Sequence, residues 1–536
     1  MRYQSWIVLF VCVLGLAVFV RLWNLGKIPE GFYSDEALYG YEAFSLWKTG
    51  KDEFGNKLPL SIAGFGDYRP AYYIYTTIPF IVILGLTEFA TRLPSALSSI
   101  ATIIVTFFFI LELTKNKKIA LAGMLLLAIS PWSVYFGRMA HETNLMTFFI
   151  ILGAFFLWRT RTCAYCIVGS IASFVMAIYT YHSARIFVPL FLLTTLVLFR
   201  KNFKKNIFPV LLGSFLLTVL ILPLIFELKL DGSWSRVQGI SIWTDPGIIP
   251  KINELRGRVG AVVPPVFAKI IINKATIYSE IFIEKFISHF DPQFLLFSGD
   301  PNGVYNTPNT GILLWIEPVL LILGGWAFWK KQRPLFYWIF GAIIIGLIPD
   351  SLTRIAPSSA RIHLILPFLA LLNGSGIYEL TKKRSFVKLL VVTLLTLNSS
   401  WFWYHYLIVR PVVHEEAWQI GVKEMVLKAQ ELSPQYEKIW ISRSGWGWMH
   451  VLFHTKYDPA TFQKEAQVSP RNDLGFWWVS DVGKYHLDWL PAEIKTTKKV
   501  LYIGTPVEFS PKVIPVDQIH DQFGHELYWF VDSARL

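Results

Sequence analysis

Two adjacent carboxylates, Asp35 and Glu36, lie in the stretch YSDEALYGY (33–41), shortly after the first apolar segment of the chain. Acidic residues in the first turn of a helix favour the helix dipole, so the pair could be purely structural. A carboxylate at a membrane surface could instead act as a general base that takes a proton from a hydroxyl group. The two roles are compatible, and the charges elsewhere in the chain favour the second.

Four polar turns elsewhere in the sequence carry arginine. A single such side chain at the end of a membrane span can extend to the interface without further function. In the topology that the basic clusters imply, all four turns face outward, where the positive-inside rule disfavours arginine, and this pattern indicates an anionic partner. Guanidinium groups suit phosphate oxygens. The residues are Arg69 in GDYRPAYYIY, Arg138 with Glu142 in SPWSVYFGRMAHETN, His182 with Arg185 in YTYHSARIF, and Arg354, Arg361 and His363 in PDSLTRIAPSSARIH.

A base beside arginines predicts one class of reaction. The base would take the proton of an acceptor hydroxyl while the arginines stabilise a departing lipid phosphate, in a displacement at the anomeric carbon of a sugar. Such a reaction needs neither a nucleotide nor a Gly-rich phosphate loop, and the sequence contains no such loop.

The composition indicates an integral membrane protein. The 536 residues are 54% hydrophobic and 16% charged, and the mean hydropathy is +0.45. The net charge of +13 comes from short basic clusters between apolar runs, which is typical of membrane-flanking charge and not of nucleic-acid binding. Cys163 and Cys166 have CxxC spacing, but no second ligand pair indicates a metal site, and the three cysteines define no disulfide framework.

The apolar runs predict eleven spans, within a range of 11–13, with the first run (6–22) retained as an anchor. The positive-inside rule then places the N-terminus inside and the C-terminus outside the cytoplasmic (inner) membrane. A single crossing by residues 71–86 would reverse the later clusters, so this segment is predicted to be interfacial or re-entrant. The cytoplasmic clusters are Lys115/Lys117/Lys118, Arg159/Arg161, Arg200/Lys201/Lys204/Lys205, Lys330/Lys331/Arg333 and Lys382/Lys383/Arg384.

Two outer segments and one C-terminal domain complete the predicted architecture. In the outer loop 23–91, Ser34 is expected to cap an amphipathic helix that ends at Gly50 and lies flat on the membrane with its aromatic face in the headgroup layer. The second outer segment is 227–310. Residues 409–536 contain short β-rich runs at 438–442, 475–480, 499–504 and 526–531, which predict a soluble extracytoplasmic α/β domain after a transmembrane domain of residues 1–408.

The chain resembles the lipid-phosphate-sugar-dependent glycosyltransferases of the GT-C class, and within them the bacterial protein O-mannosyltransferases and aminoarabinose lipid A transferases. The resemblance covers about residues 1–410 and implies a GT-C architecture. It rests on SDEA after the first span, on GDYRPAYYIY, which is similar to a basic-Pro-(Pro)-Leu-Tyr-Tyr stretch of the family, and on TEFATRLPSAL, AISPWSVYFGRMAHETN, YTYHSARIFVPL and FLLFSGDPNGVYNTPNTGILLW.

The resemblance implies a role for each matching residue. Asp35 corresponds to the catalytic base, Glu36 to a supporting acid and Glu142 to a second acidic position. Arg69 matches the basic residue before proline, although it is Arg where Lys is more frequent, and a single Pro70 stands where the family has two prolines.

Further basic residues match positions that bind the donor phosphate in the family. Arg138 resembles the arginine of the turn that contains Glu142, and Arg361 matches a late basic position that meets the lipid phosphate. His182, Arg185 and Asp300 are weaker matches, for which structural and functional roles are equally open.

The predicted function is inverting transfer of a sugar from a polyprenyl-phosphate donor to a protein, glycan or glycolipid hydroxyl on the outer face. No cofactor is expected, although Asp35, Glu36 and Glu142 would suit a divalent cation as an alternative. Membrane lipid is a partner and nucleic acid is not. The competing interpretations are a polysaccharide polymerase or ligase that uses a lipid diphosphate, and a transporter or flippase, which would place its charges near the membrane midplane.

Overall fold

The computed structural model describes residues 3–65, 67–201, 207–227, 239–382, 385–445, 447–470, 477–491 and 499–535. The basic residues Lys204, Lys205, Lys383 and Arg384 lie outside these ranges. The α-helices are α1 (Tyr3–Leu22), α2 (Ser34–Thr49), α3 (Tyr72–Leu84), α4 (Glu88–Thr114), α5 (Lys117–Ile129), α6 (Pro131–Gly137), α7 (Glu142–Arg159), α8 (Cys166–Thr180), α9 (His182–Leu198), α10 (Phe208–Glu227), α11 (Ile248–Gly260), α12 (Pro265–Ile271), α13 (Lys274–Ser288), α14 (Glu317–Lys331), α15 (Arg333–Ser351), α16 (Leu366–Thr381), α17 (Ser385–Tyr404), α18 (Arg410–Val413), α19 (Glu415–Trp418), α20 (Val422–Leu432), α21 (Trp448–Thr455) and α22 (Pro459–Glu465).

The chain divides into two compact units. The first unit comprises Met1–Phe19, Ser98–Phe136 and Thr143–Trp403. The second unit comprises Val20–Leu97, Gly137–Glu142 and Tyr404–Leu536. The acidic residues near position 35 therefore fold with the C-terminal part of the chain.

Six helices of the described residues are long and apolar enough to cross a bilayer, or seven if α5 and α6, which are bent by 58°, form one span. The prediction of a polytopic α-helical membrane protein is confirmed. The count of eleven stays a prediction, because α3, α8 and α9 are shorter apolar helices. The six are Ser5–Leu22, Glu88–Thr114, Phe208–Phe226, Arg333–Ser351, His363–Thr381 and Ser385–Val413.

Glycines allow close helix packing in the first unit. A Cβ atom on Gly324 of α14 would lie 1.9 Å from the Leu372 carbonyl oxygen of α16, and one on Gly376 would lie 2.1 Å from the Leu320 carbonyl oxygen. On another side of α16, a Cβ on Gly374 would lie 2.6 Å from the carbonyl oxygen of Ile119 in α5. Small residues let helix backbones approach in membranes, and they fix α16 between its neighbours.

Helix α2 of the second unit is largely enclosed by protein. Most of its residues are buried, including Glu36, Tyr39 and Glu42, and it packs against α3, α21 and α22. The prediction that its aromatic face lies in the headgroup layer is therefore wrong for Tyr41, which is buried in protein, and the orientation of the helix on the membrane stays a prediction. Gly50 ends the helix as predicted, with φ of 70°. The prediction that Ser34 caps the helix is wrong as well, because Tyr33 is the N-cap and the Ser34 hydroxyl pairs with Gln419.

Two sheets lie in the second unit. Strands β1 (Ser61–Gly64) and β2 (Asp67–Pro70) form an antiparallel pair in which Ile62 faces Arg69. The C-terminal sheet has the order β4-β5-β3-β6-β8-β7, in which β3 is parallel to both β5 and β6. These strands are β3 (Lys438–Ile441), β4 (Asp481–Val482), β5 (Tyr485–Leu487), β6 (Val500–Gly504), β7 (Asp517–His520) and β8 (Glu526–Asp532).

The C-terminal α/β class is thus confirmed. Three of the four predicted β-rich runs contain a strand, namely β3, β6 and β8. The run at 475–480 begins outside the described residues, and its described part contributes only an isolated bridge between Val479 and Val468. The domain boundary at 408 and the outward orientation stay predictions.

Candidate active site

Asp35 and Arg69 form an ion pair in the second unit. Helix α2 begins next to Asp35 and strand β2 holds Arg69, so that Arg69 Nη1 lies 2.7 Å from Asp35 Oδ2. The Asp35 side chain is 22% exposed and the Arg69 side chain 11%. The structure therefore brings together the two residues that the sequence matched to the base and to the first phosphate ligand, and part of the carboxylate is accessible to solvent.

Glu36 points away from this pair into a buried site. Arg92 Nε donates to Glu36 Oε1 over 3.0 Å, Arg92 Nη2 donates to Oε2 over 2.8 Å, and the Ala140 N–H donates to Oε1 over 2.6 Å. Burial raises the pKa of Glu36, and Arg92 and the Ala140 amide oppose that shift. Because both side chains are almost fully enclosed, Glu36 is positioned as a structural partner of Arg92.

Arg92 is a site residue that the sequence reasoning missed. Its guanidinium also donates to the carbonyl oxygens of Leu25, Pro29 and Gly31, at 3.2, 3.0 and 2.6 Å. It therefore ties the segment before α2 to the helix that bears Glu36. The available signal was a charged residue in the apolar motif TEFATRLPSAL, where ionisable groups need a partner.

Glu142 accepts a hydrogen bond from the hydroxyl group of Tyr39, which lies one helical turn after Asp35. Burial raises the pKa of Tyr39 well above its usual value, and the Glu142 carboxylate raises it further, so this phenol stays protonated and donates. The nearby charges of Arg69 and Asp35 also act on Tyr39. Asp35, Arg69, Tyr39 and Glu142 thus form one polar group, the Asp35 cluster.

Arg138 is fully buried and braces the backbone. Its guanidinium donates to the carbonyl oxygens of Val20, Trp23 and Ile28, at 2.6, 2.7 and 3.0 Å. The side chain is fully buried, and its predicted role in binding the donor phosphate stays a prediction. Its three contacts hold the segment between α1 and α2 in place.

The remaining candidates belong to the first unit. Arg361 Nη1 lies 2.9 Å from Asp350 Oδ1 and donates to the carbonyl of Ile355, and the Arg361 side chain is 18% exposed. His182 and Arg185 lie one turn apart at the start of α9, both partly buried. Asp300 accepts hydrogen bonds from the Ser359 amide and hydroxyl, and burial raises its pKa to about 6. The functional roles of His182, Arg185 and Asp300 stay predictions.

An apolar cavity of about 470 Å³ lies in the first unit. Aromatic and aliphatic side chains line it, among them Trp326, Trp329 and Phe340. His289 and Ile362 belong to its wall, and His289 Nε2 is hydrogen-bonded to Asp350 Oδ2 over 2.8 Å. Asp350, the ion-pair partner of Arg361, is therefore hydrogen-bonded to a residue of the cavity wall.

Metal binding gains no geometric support from the carboxylates named in the sequence. Asp35, Glu36 and Glu142 pair with Arg69, Arg92 and Tyr39, respectively. Within the described part of the chain, no group of three or more His, Cys, Asp or Glu side chains is arranged to hold a metal ion.

A pair of buried carboxyl groups supports the third turn of α2. Glu42 Oε2 accepts the Glu53 N–H over 3.1 Å, and Glu53 Oε2 accepts the Trp448 indole N–H over 3.2 Å. Both side chains are fully buried. Burial raises the pKa of both well above the ordinary 4.5, and Asp52 raises it further.

The carboxyl groups of Glu42 and Glu53 bind their protons more tightly in the folded chain than in the unfolded chain. The protonated groups therefore stabilise the fold fully below about pH 4.5, and this stabilisation is lost as the pH rises through the folded-state pKa. We expect the free energy of unfolding to fall by up to about 1.4 kcal/mol per pH unit for each group in that window. Glu42→Gln should flatten this dependence in thermal unfolding in detergent between pH 6 and 9. The Glu431→Gln control removes an exposed carboxylate and should follow the wild type; equal slopes for all three proteins would contradict the prediction.

The fold is that of GT-C membrane glycosyltransferases, and the chain is an integral membrane protein. ArnT from Cupriavidus metallidurans matches in its apo state and bound to undecaprenyl phosphate, each time with a TM-score of 0.55, 13% identity and coverage of 99% of this chain and 98% of that one. An oligosaccharyltransferase from Archaeoglobus fulgidus, in complex with Zn and sulfate, matches with a TM-score of 0.50, 12% identity and coverage of 83% and 61%. No protein-family model and no curated protein matches the sequence.

Proposed function

We propose that this protein is a membrane glycosyltransferase that moves a hexosyl or pentosyl group from a polyprenyl-phosphate donor to an acceptor hydroxyl. The observation that carries the proposal is the partly exposed Asp35–Arg69 ion pair within a GT-C fold. The donor class is supported by the ArnT structure of the same fold that holds undecaprenyl phosphate. The proposal includes the outer face of the inner membrane as the place of reaction, with the N-terminus inside.

Asp35 acts as the general base. One of its carboxylate oxygens pairs with Arg69, which orients the group, and the partial exposure leaves room for an acceptor hydroxyl. The base takes the hydroxyl proton, the hydroxyl oxygen forms the new bond to the anomeric carbon, and the lipid phosphate leaves with the electrons of the old bond. A direct displacement without a covalent enzyme intermediate inverts the anomeric configuration.

Arg69 in the second unit and Arg361 in the first are each proposed, from the sequence resemblance, to bind phosphate oxygens of the carrier lipid. Arg69 already faces an anion, so it could serve the leaving phosphate as it separates. Arg361 is partly exposed and pairs with Asp350, which is hydrogen-bonded to His289 in the wall of the apolar cavity, and we assign isoprenoid units of the carrier lipid to this cavity. Glu142 and Tyr39 hold the first turns of α2 in place, and Arg138 and Arg92 brace the preceding segment.

Donor specificity tests the proposal. Purified protein is incubated with membrane extract and a panel of radiolabelled polyprenyl-phosphate sugars, alongside one matching polyprenyl-diphosphate sugar. We expect transfer from at least one monophosphate donor, with inversion at the anomeric carbon of the product. Transfer from the diphosphate alone would establish a polymerase or ligase instead, and retention of configuration would exclude a single displacement.

Replacing Arg361 with glutamine is expected to raise the donor KM about tenfold with a smaller change in kcat, because a charged contact to a phosphate contributes about 1.5–3 kcal/mol. The matched control is Arg354→Gln in the same loop, since the Arg354 guanidinium is bound to the Ser241 and Thr244 carbonyl oxygens. Equal donor KM values for both variants would remove Arg361 from the donor site.

A further inference from the structure

The C-terminal part of the second unit contains a cavity of about 700 Å³ with both apolar and polar side chains in its wall, the C-terminal cavity. It lies where the parallel strands β3 and β6 end. Arg443 and Ser444 follow β3, Thr505 follows β6, and all three line the cavity. In α/β sheets, the crevice outside the carboxyl ends of parallel strands is the usual place of a ligand.

Hydrogen-bonding groups of both kinds line this cavity. Glu415 and Glu416 supply carboxylate acceptors, and the Ser444 and Thr505 hydroxyl oxygens, which donate their own protons to Glu508, supply further acceptors. Tyr528 and Arg443 supply donors. Glu508 links the two loops that bear these hydroxyl groups. Its Oε2 atom accepts hydrogen bonds from the Ser444 hydroxyl over 2.7 Å and from the Thr505 backbone N–H over 2.8 Å. The polar wall is therefore organised before any ligand binds.

The charge balance of the wall disfavours an anion. Among the described residues of the wall there are two glutamates and one guanidinium group, that of Arg443, which lies 4.5 Å from the centre of the Trp478 ring. Burial raises the pKa of Tyr528, and Glu415 and Glu416 raise it further, so its phenol stays a neutral donor in the wall.

One large aromatic face is presented to solvent at the same place. Trp489 lines the cavity and is 61% exposed, an unusual position for a tryptophan that packs a core. A flat apolar ring beside carboxylates and hydroxyl groups matches the two surfaces of a pyranose, whose C–H face stacks on an aromatic ring and whose hydroxyl groups donate to carboxylates.

We propose that the C-terminal cavity is a binding site for a saccharide without negative charge. The ring of one sugar unit stacks on Trp489, and its hydroxyl groups bind Glu415, Glu416 and the loops after β3 and β6. This assignment concerns a site apart from the Asp35 cluster and does not depend on the transfer reaction.

Gln419 connects this cavity to the start of α2. Its side chain lines the cavity, its amide nitrogen lies 2.7 Å from the Ser34 hydroxyl oxygen, and its amide oxygen lies 2.6 Å from His450 Nε2. Ser34 immediately precedes Asp35 in the chain. The bound saccharide is therefore suited to be part of the acceptor, and this second step rests on the proposed function.

Saccharide binding by the full-length protein in detergent tests the assignment. The probes are mannobiose, N,N′-diacetylchitobiose and maltotriose, measured by saturation-transfer NMR and calorimetry. We expect at least one of them to bind with millimolar or better affinity, and Trp489→Ala to weaken it at least tenfold. Phe523→Ala removes another exposed aromatic side chain of the same unit that does not line the cavity, and it should bind as the wild type does.

A second variant addresses the polar wall. Glu416→Gln changes an exposed residue, so folding should be intact, and we expect affinity to fall about threefold to tenfold, whereas Glu431→Gln should have no effect. Three results would overturn the assignment: no binding of any probe, unchanged affinity in Trp489→Ala, or preferential binding of a lysine-rich peptide or of oligogalacturonate.

The Asp35→Asn protein separates this inference from the proposed function. It should bind the saccharide as the wild type does while losing transfer. Retained transfer in Asp35→Asn would contradict the proposed function without affecting the proposed saccharide site. An inactive Asp35→Asn protein together with unchanged saccharide binding in Trp489→Ala would support the proposed function and contradict the saccharide site.

Discussion

Replacing Asp35 with asparagine is expected to lower the turnover of sugar transfer about a thousandfold while the protein stays folded. A general base typically contributes a factor of about 10²–10⁴, and an amide cannot take the acceptor proton. The asparagine amide oxygen can still accept a hydrogen bond from Arg69, so the loss of the charge should cost only about 1–2 kcal/mol of stability. The measurement is single-turnover transfer from the radiolabelled donor, together with thermal unfolding in detergent.

The same variant should leave donor affinity intact or slightly increase it. Without the Asp35 carboxylate, Arg69 loses its anionic partner in that pair and is more available to a phosphate. The matched control is Glu88→Gln, which removes a carboxylate of the same unit that pairs with Lys423 at 2.6 Å. Turnover of Asp35→Asn within tenfold of that control would exclude Asp35 as the base.

Asp35 and Arg69 could be assigned to one site because both lie in motifs, SDEA and GDYRPAYYIY, that the family resemblance matches. Asp35 follows the start of a helix, and Arg69 precedes a proline in a short extended segment. The sequence suggests a chemical role for Glu36 because it neighbours Asp35. Successive helical residues face different directions, however, and Glu36 meets Arg92, which is 56 residues away in the sequence.

The surroundings of α2 could not be predicted for a related reason. Its aromatic stripe is compatible with lipid headgroups and equally with protein, and hydropathy does not distinguish the two. Helices α21 and α22, from the far end of the chain, provide the cover. A Cβ atom on Gly40 would lie 2.4 Å from the Phe453 ring, which shows how closely they approach.

The C-terminal sheet is predictable strand by strand where the runs are long enough. Strands β6 and β8 are five and seven residues long and rich in apolar residues, and the sequence predicts both. Strands β4 and β5 have only two and three residues, too few to show an alternating pattern. The cavity at the ends of β3 and β6 depends on their parallel order, which no local pattern encodes.

Replacing Arg92 with methionine is expected to reduce the free energy of unfolding by about 3–5 kcal/mol, which is typical when one partner of a buried ion pair is removed. The variant leaves the Glu36 carboxylate without its partner and the carbonyl groups of Leu25, Pro29 and Gly31 without this donor. Thermal unfolding of the purified protein measures the effect. Lys423→Met, which breaks the more exposed pair with Glu88, should cost no more than about 1 kcal/mol.

The pH dependence of this loss distinguishes a structural role of Glu36 from a chemical one. Burial already favours the protonated form of Glu36, so without Arg92 the group should take up a proton, and the penalty should shrink as the pH falls from 8 to 5. In Glu36→Leu/Arg92→Met no buried charge remains at this pair, and part of the stability should return, as for other buried pairs replaced by apolar residues. Turnover per folded molecule in the double variant then distinguishes the two roles. A value near that of the wild type would show that Glu36 serves only as the partner of Arg92, whereas a thousandfold loss in a stable protein would show that Glu36 takes part in the reaction.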